Sequence, residues 1–237
     1  MTEHTDELEK RTKKIREQMG GKSRLEKMES EGKPNIRQHI DAILDEGTFQ
    51  EIGTFSRSLR EEDRETTPGD GKIGGEGEID GRPVAIAGDD ITVKRGSSSI
   101  VGSRKTSRLY ERALKMGFPY VYFGETGGGR IPDLIGAEGI SDAMPSPDIA
   151  RRRRLIPMAS VIVGQSFGGS SFHSAFSDFT VQVRGSVLAV TSPRVFEIAT
   201  GEIVSFEELG GVDVHAKTTG QIDLGADRYE DAYKAVK

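Results

Sequence analysis

Pro119-Tyr-Val-Tyr-Phe-Gly-Glu-Thr-Gly-Gly-Gly-Arg130 and Ser160-Val-Ile-Val-Gly-Gln-Ser-Phe-Gly-Gly-Ser170 share one plan. Each is an apolar run, read as a buried strand at Pro119–Phe123 and Ser160–Val163, followed by a glycine loop. A loop without Cβ atoms lets a ligand oxygen reach backbone N–H groups. Where a helix starts at such a loop, its unpaired N–H groups and its dipole favour negative charge. Two such loops side by side form an oxyanion hole, which needs no catalytic side chain. Taken singly, each loop is also what a tight turn looks like.

Outward from these loops, helical and strand patterns alternate. Ser103 to Met116 reads as a helix, with Leu109, Ala113, Leu114 and Met116 facing the core and Gly117 after its end. Gly77 to Ile86 reads as a hairpin turning at Asp80-Gly81. Phe49 to Ile52 reads as a strand start, Arg57 to Pro68 as a polar loop, and Ala150 to Met158 as a helix. Thr180–Val183 and Val187–Val190 read as further short strands. At the N-terminus, Thr5 to Met19 reads as a charged helix ending at Gly20-Gly21. Ser23 and Glu26 read as a capping box, and Ile36, Ile40, Ile43 and Leu44 as one helical face stopped by Gly47. This is α/β layering, divided into a charged helical extension over 1–47 and one domain over 48–237.

Composition removes several classes. The chain has 237 residues, a net charge of −5, 34% hydrophobic residues and 30 glycines. With no cysteine, disulfide scaffolds, thiolate metal sites, iron–sulfur clusters and cysteine nucleophiles are excluded. No apolar run approaches the roughly 18 residues of a membrane span, and the charged start carries no secretory signal, so the cytoplasm is the expected compartment. The mild acidity argues against a general nucleic-acid binder. The first 33 residues carry 17 charges, and a solvated helical face is the simpler reading of them.

Two motifs compete with the glycine loops. Gly69-Asp-Gly71-Lys-Ile-Gly74 fits a dinucleotide fingerprint, but a polar stretch precedes it and glycines follow, so a turn into the hairpin is the better reading. Gly164-Gln-Ser-Phe-Gly168 fits a hydrolase elbow at Ser166, with His173 or His215 as base and Asp178 or Asp213 as orienter. The 71 residues after Ser166 leave little room for late strands bearing an acid and a histidine. A small residue in a tight loop is the plainer account.

Four ordered blocks carry a family resemblance, spread from about Ile36 to Lys237. Gly81-Arg-Pro-Val-Ala-Ile-Ala-Gly-Asp-Asp-Ile-Thr-Val93 resembles the early strand of biotin-dependent acyl-CoA carboxyltransferases, and Glu125-Thr-Gly-Gly-Gly-Arg-Ile131 their Asp-Ser-Gly-Gly-Ala-Arg-Ile. Gly168-Gly-Ser-Ser-Phe-His-Ser-Ala-Phe-Ser-Asp-Phe-Thr-Val-Gln-Val183 resembles their second glycine loop. Gly201 to Gly211, with His215 and Thr219-Gly220, resembles the segment closing their N-terminal domain. The sequence departs from the family at Gly96-Ser-Ser-Ser99, where Gly-Ser-x-Gly is usual, and at Gln165-Ser-Phe167, where smaller residues are usual.

The resemblance implies a crotonase-like fold of stacked ββα units. It also implies a carboxyltransferase subunit that binds an acyl-CoA and stabilises its thioester enolate while carboxylate arrives from carboxybiotin. Biotin is then carried on a partner protein, since no Ala-Met-Lys-Met-like attachment site is present. The implied partners are a second carboxyltransferase-domain subunit, a biotin carboxyl carrier protein and a biotin carboxylase, in a hetero-oligomer. No metal is implied in this chain. Gly168 and Gly169 are the leading enolate donors, and Gly128 and Gly129 the second pair. Lys94, Arg95, Gly96, Ser97, Arg104, Lys105 and Arg130 are the candidates for CoA, with Arg130 more suited to bracing its loop. The four-arginine run Arg151 to Arg154 suits CoA phosphates, an acidic partner or plain solvation. The alternatives are a decarboxylase of malonyl-type CoA, a serine hydrolase through Ser166, and a non-catalytic relative that binds a partner. The acyl group, the direction of transfer and the stoichiometry are not readable from the sequence.

Overall fold

A computed structural model describes residues 3–143 and 155–237 of the chain. Its centre is an eight-stranded mixed sheet in the order β1-β2-β3-β4-β5-β6-β8, with β7 beside β5. The strands are β1 Gln50–Glu51, β2 Lys72–Ile79, β3 Arg82–Asp89, β4 Tyr120–Thr126, β5 Met158–Phe167, β6 Phe179–Val183, β7 Val187–Ala189 and β8 Leu224–Ala226. β1, β2 and β3 pair antiparallel, and every later pairing is parallel.

The expected hairpin is present. Asp80 (φ 49°) and Gly81 (φ 74°) form its two-residue turn, the left-handed pair that matches strand twist. β4 alternates as a strand buried on both faces must. Tyr120 and Tyr122 join Leu109, Tyr110 and Ala113 of the Ile100–Met116 helix on one face. Val121 and Phe123 join Ile36, Ile40 and Ile43 of the Ile36–Ile43 helix on the other. That second helix and Tyr229–Val236 therefore pack on the sheet itself.

β5 is longer than its apolar run suggests. Its first half pairs with β6 through Ala159–Ile162, and its second half turns to β7 through Gln165–Phe167. Gly164, Gln165 and Ser166 are thus strand residues, where the sequence suggested a loop. The bend shows in the β4 register, which jumps from Gly124↔Ile162 to Thr126↔Ser166.

Other expectations are corrected locally. The second helix starts at Lys22 with Gly21 as N-cap, so Ser23 lies inside the first turn and makes no capping box. Capping boxes form instead at Asn35–Gln38 and Ser205–Glu208. Met158 opens β5 and does not end a helix, since Pro157 donates no N–H and restricts Ile156 to non-helical backbone. The preceding 150–154 stretch, with Arg151 to Arg154, lies outside the described residues. Met116, expected inside, is exposed on the last helical turn. The polar Arg57–Pro68 segment folds into a short helical turn over Glu61–Thr66, with Ser58 and Thr67 buried.

Candidate active site

Three loops leave the carboxyl ends of the parallel strands β3, β4 and β5, the usual ligand edge of such a sheet. They are laced to one another by backbone. Gly127 donates to the Arg95 carbonyl at 2.9 Å, Ser98 to the Gly128 carbonyl at 2.9 Å, and Arg130 to the Ser98 carbonyl at 2.8 Å. The two glycine loops meet, because a Cβ on Gly168 would stand 3.7 Å from Gly128 Cα. A Cβ on Gly169 would stand 3.2 Å from Ser98 Oγ.

The four glycines are not equivalent. Gly168 (φ 58°, ψ −121°) is the N-cap of the Gly169–Phe176 helix, in a conformation only glycine adopts readily. Its N–H is already used, donating to the Val190 carbonyl at 3.1 Å. The Gly128 N–H likewise donates to Thr126 Oγ1 at 3.1 Å. Gly169 and Gly129 keep N–H groups with no acceptor among the described residues. Of the four expected donors, Gly168 and Gly128 have engaged N–H groups, while those of Gly169, at the positive end of a helix, and Gly129 on the adjoining loop are unpaired among the described residues.

The basic candidates separate in the same way. Lys105 is buried under the site and donates to the carbonyls of Lys72 (2.6 Å), Gly53 (3.2 Å) and Gly69 (3.4 Å). Burial pushes its ammonium down to about 8. Arg130 is buried too, with Nη1 on Asp70 Oδ1 at 2.6 Å and Nε 3.8 Å from Asp133. Both cations are thus engaged with the protein itself, Lys105 with loop carbonyls and Arg130 as the brace of its loop through Asp70. Gly96 (φ 62°) and Ser97 are buried, and the Ser97 hydroxyl accepts from Arg130 Nε at 3.3 Å. Lys94, Arg95 and Arg104 are exposed; Lys94 Nζ pairs with Asp63 at 2.8 Å.

Two buried polar clusters that sequence reading missed hold these loops. Asp70, at φ 52°, accepts from Arg130, from Ser99 Oγ and from the Gly102 N–H. Asp89 binds Lys72 Nζ, the Tyr122 hydroxyl (2.7 Å) and the Glu125 N–H (3.0 Å), while Lys72 also donates to the Gly96 carbonyl at 2.9 Å. Only the aspartates at the ends of glycine-rich runs signalled them. Glu125 is raised to about 7, first by burial and then by the Asp89 charge.

The hydrolase constellation is absent from the geometry. Ser166 is buried in β5, and its hydroxyl shares a hydrogen bond with Ser170 Oγ at 2.7 Å. His173 stacks on Tyr122 at 4.3 Å, and burial lowers it to about 4. His215 Nε2 lies on the Leu188 carbonyl at 2.7 Å. Asp178 accepts from the Met158 N–H at 3.0 Å, and Asp213 pairs with Lys217 at 3.2 Å. The Gly69–Gly74 decoy is a turn, with Gly69 and Asp70 left-handed, that runs into β2. Among the described residues no cluster of three metal-ligating side chains occurs, and no helix is long and apolar enough to cross a membrane.

The mixed sheet, with its glycine loops at the carboxyl ends of the parallel strands, is that of a crotonase-like fold. The chain belongs to the carboxyl transferase domain family, whose model matches residues 27–237. It is 34% identical over 246 residues to the propionyl-CoA carboxylase carboxyltransferase subunit of Haloferax mediterranei, covering 100% of this chain and 46% of that one. It is 34% identical over 211 residues to the methylmalonyl-CoA carboxyltransferase 12S subunit of Propionibacterium freudenreichii, covering 88% and 40%. The crystal structure of a transcarboxylase 12S hexamer with methylmalonyl-coenzyme A bound superposes with a TM-score of 0.89 at 30% identity, over 100% of this chain and 47% of that one. The chain thus spans less than half the length of these relatives.

Proposed function

We propose that this chain supplies the acyl-CoA side of a biotin-dependent acyl-CoA carboxyltransferase. The observation that supports the reading is the pair of adjoining glycine loops in which the Gly169 and Gly129 N–H groups have no acceptor among the described residues. Loss of an α-proton from a thioester moves charge onto its oxygen. Donors about 2.7–3.1 Å from that oxygen stabilise the enolate, and the N-terminus of the Gly169–Phe176 helix adds its dipole. Lys72, Lys105 and Arg130 are buried, and their bonds to loop carbonyls, Asp89 and Asp70 hold the loops in place.

Carboxybiotin, carried on another protein, supplies the carboxyl group. Gly127 and Gly129 are exposed at the cleft mouth, which suits a second reactant arriving from outside this chain. A second carboxyltransferase domain closes the site, with the biotin carrier protein and biotin carboxylase completing the hetero-oligomer, and the cytoplasm is its compartment. The test is reconstitution. Native complexes recovered through this chain are blotted with avidin and assayed for acyl-CoA-dependent carboxylation. A biotinylated partner and activity that requires it are the expected result; robust turnover by the isolated monomer refutes the reading.

A decarboxylase is the second reading. The chain covers 80% of a subunit in a Pseudomonas malonate decarboxylase hetero-tetramer, at a TM-score of 0.74 and 25% identity. Carbon dioxide release from a malonyl-type CoA without bicarbonate dependence distinguishes the two.

A further inference from the structure

Arg95 occupies an expensive conformation at the mouth of the cleft. Lys94, Arg95 and Gly96 follow one another at φ 47°, 59° and 62°, left-handed values that are strained for any residue with a Cβ. Such strain concentrates where a side chain has a function to perform. The two side chains of this turn diverge. Lys94 points outward to the Asp63 carboxylate, which neutralises it. Arg95, although exposed, lies against the glycine loop after β4: its Nε would stand 3.0 Å from a Cβ on Gly127, and its Nη2 donates to Gln165 Oε1 at 2.7 Å.

That partner is a neutral amide. Among the described residues no carboxylate lies within ion-pair distance of Arg95, so its full charge and its remaining donors are available. The guanidinium lies over Gly127, two residues from the unpaired Gly129 N–H, and is braced from β5 three residues before Gly168. Gln165 also falls in the stretch where this sequence departs from the smaller residues of its family.

We infer that Arg95, held by Gln165, is a specificity residue that selects a thioester whose acyl group carries a carboxylate over one whose acyl group is neutral. The inference rests on the acyl-CoA reading above. A carboxylate near the thioester oxygen lies on the Gly127 side of the cleft, where the planar fork of an arginine binds it with two parallel hydrogen bonds.

The test is calorimetry on the full chain with four ligands: malonyl-CoA, glutaryl-CoA, butyryl-CoA and free CoA. Arg95→Gly is the main variant, because glycine accepts φ 59° without strain and the fold survives. It is expected to weaken one or both dicarboxylic thioesters about ten-fold or more, the loss of a charge-assisted hydrogen bond. Butyryl-CoA and free CoA should stay within about two-fold. Whether malonyl-CoA or glutaryl-CoA falls more reports where the carboxylate sits. Arg95→Lys should recover part of the loss, and Gln165→Ala should show a smaller loss of the same pattern. Equal losses for all four ligands make Arg95 a phosphate contact and overturn the inference, as does no loss at all. If the wild type binds some of the ligands without Arg95-dependent selectivity, the acyl-CoA reading stands and this inference falls. If it binds none of the four, both fall together.

Discussion

Gly168 donates its N–H to the Val190 carbonyl at 3.1 Å, whereas the N–H of its neighbour Gly169 has no acceptor among the described residues. The strand-to-helix turn uses one glycine to lock itself to the residue after β7 and leaves the N–H of the next without an acceptor among the described residues. The two positions should therefore fail differently when substituted.

Gly169→Val is expected to lower turnover of the reconstituted complex by about 10²–10³, the usual cost of one oxyanion donor. CoA affinity should change far less, since the rest of the ligand is held elsewhere. Gly169→Ala is milder, because its Cβ would meet only Ser98 Oγ, at 3.2 Å. Gly168→Ala, at φ 58°, should instead lose about 1–2 kcal/mol of stability from backbone strain. Turnover, calorimetry with CoA and urea denaturation read the three effects. Near-normal turnover in folded Gly169→Val removes Gly169 from the chemistry.

Arg130→Met should destabilise the chain by about 3–5 kcal/mol, because it leaves the Asp70 carboxylate buried and unpaired. Combining it with Asp70→Asn should lose less than the two single changes summed, since the double variant buries no lone charge. Urea denaturation of the four proteins gives the coupling. Simple additivity shows that the pair does not act as a unit.

These clusters mark where the sequence stopped being readable. The hairpin at Asp80-Gly81, the Ile36–Ile43 helix and the glycine loops after β4 and β5 are local, and each is set by turn chemistry or by apolar spacing. Asp70 and Arg130 lie 60 positions apart, and no local pattern joins them. Lys105 reads as a candidate for CoA because the carbonyls it bonds, on Gly53, Gly69 and Lys72, are distant in sequence, and Arg130 reads as a loop brace without its partner Asp70 being visible. Gly164 looked like the start of a loop. It is a strand residue whose missing Cβ makes room for the Glu125 carboxylate, and that need arises only when β4 and β5 pair.

Ser166→Ala should retain most of the activity of the assembled enzyme and lose about 1 kcal/mol of stability with the Ser170 hydrogen bond. Fluorophosphonate reagents should leave the wild type unlabelled, because the hydroxyl is buried and neither His173 nor His215 bonds to it. Stoichiometric labelling at Ser166 in intact protein by mass spectrometry reverses this and restores a hydrolase.

His173 sets a pH dependence whose sign follows from its burial. It stacks on Tyr122 with its Nδ1 unpartnered among the described residues, and it is lowered to about 4 from an ordinary 6.5. The unfolded chain therefore takes up a proton in the window from about 6.5 down to 4 that the folded chain refuses. Its contribution to stability is complete above that window and is lost as pH falls through it. His173→Phe keeps a flat ring against Tyr122 and removes the titration. The stability of the wild type relative to this variant should then fall by about 1.4 kcal/mol per pH unit inside the window and stay constant above pH 7. Glu125, raised to about 7, runs the other way: its buried carboxyl favours the folded state at low pH and loses that advantage as pH rises from 4.5 through 7. Because Glu125 is present in both proteins, its effect cancels in the difference. Urea denaturation at half-unit steps from pH 8 to pH 4.5 measures it. A wild-type-to-variant gap that does not move with pH shows that His173 titrates normally in the folded chain and is not held neutral.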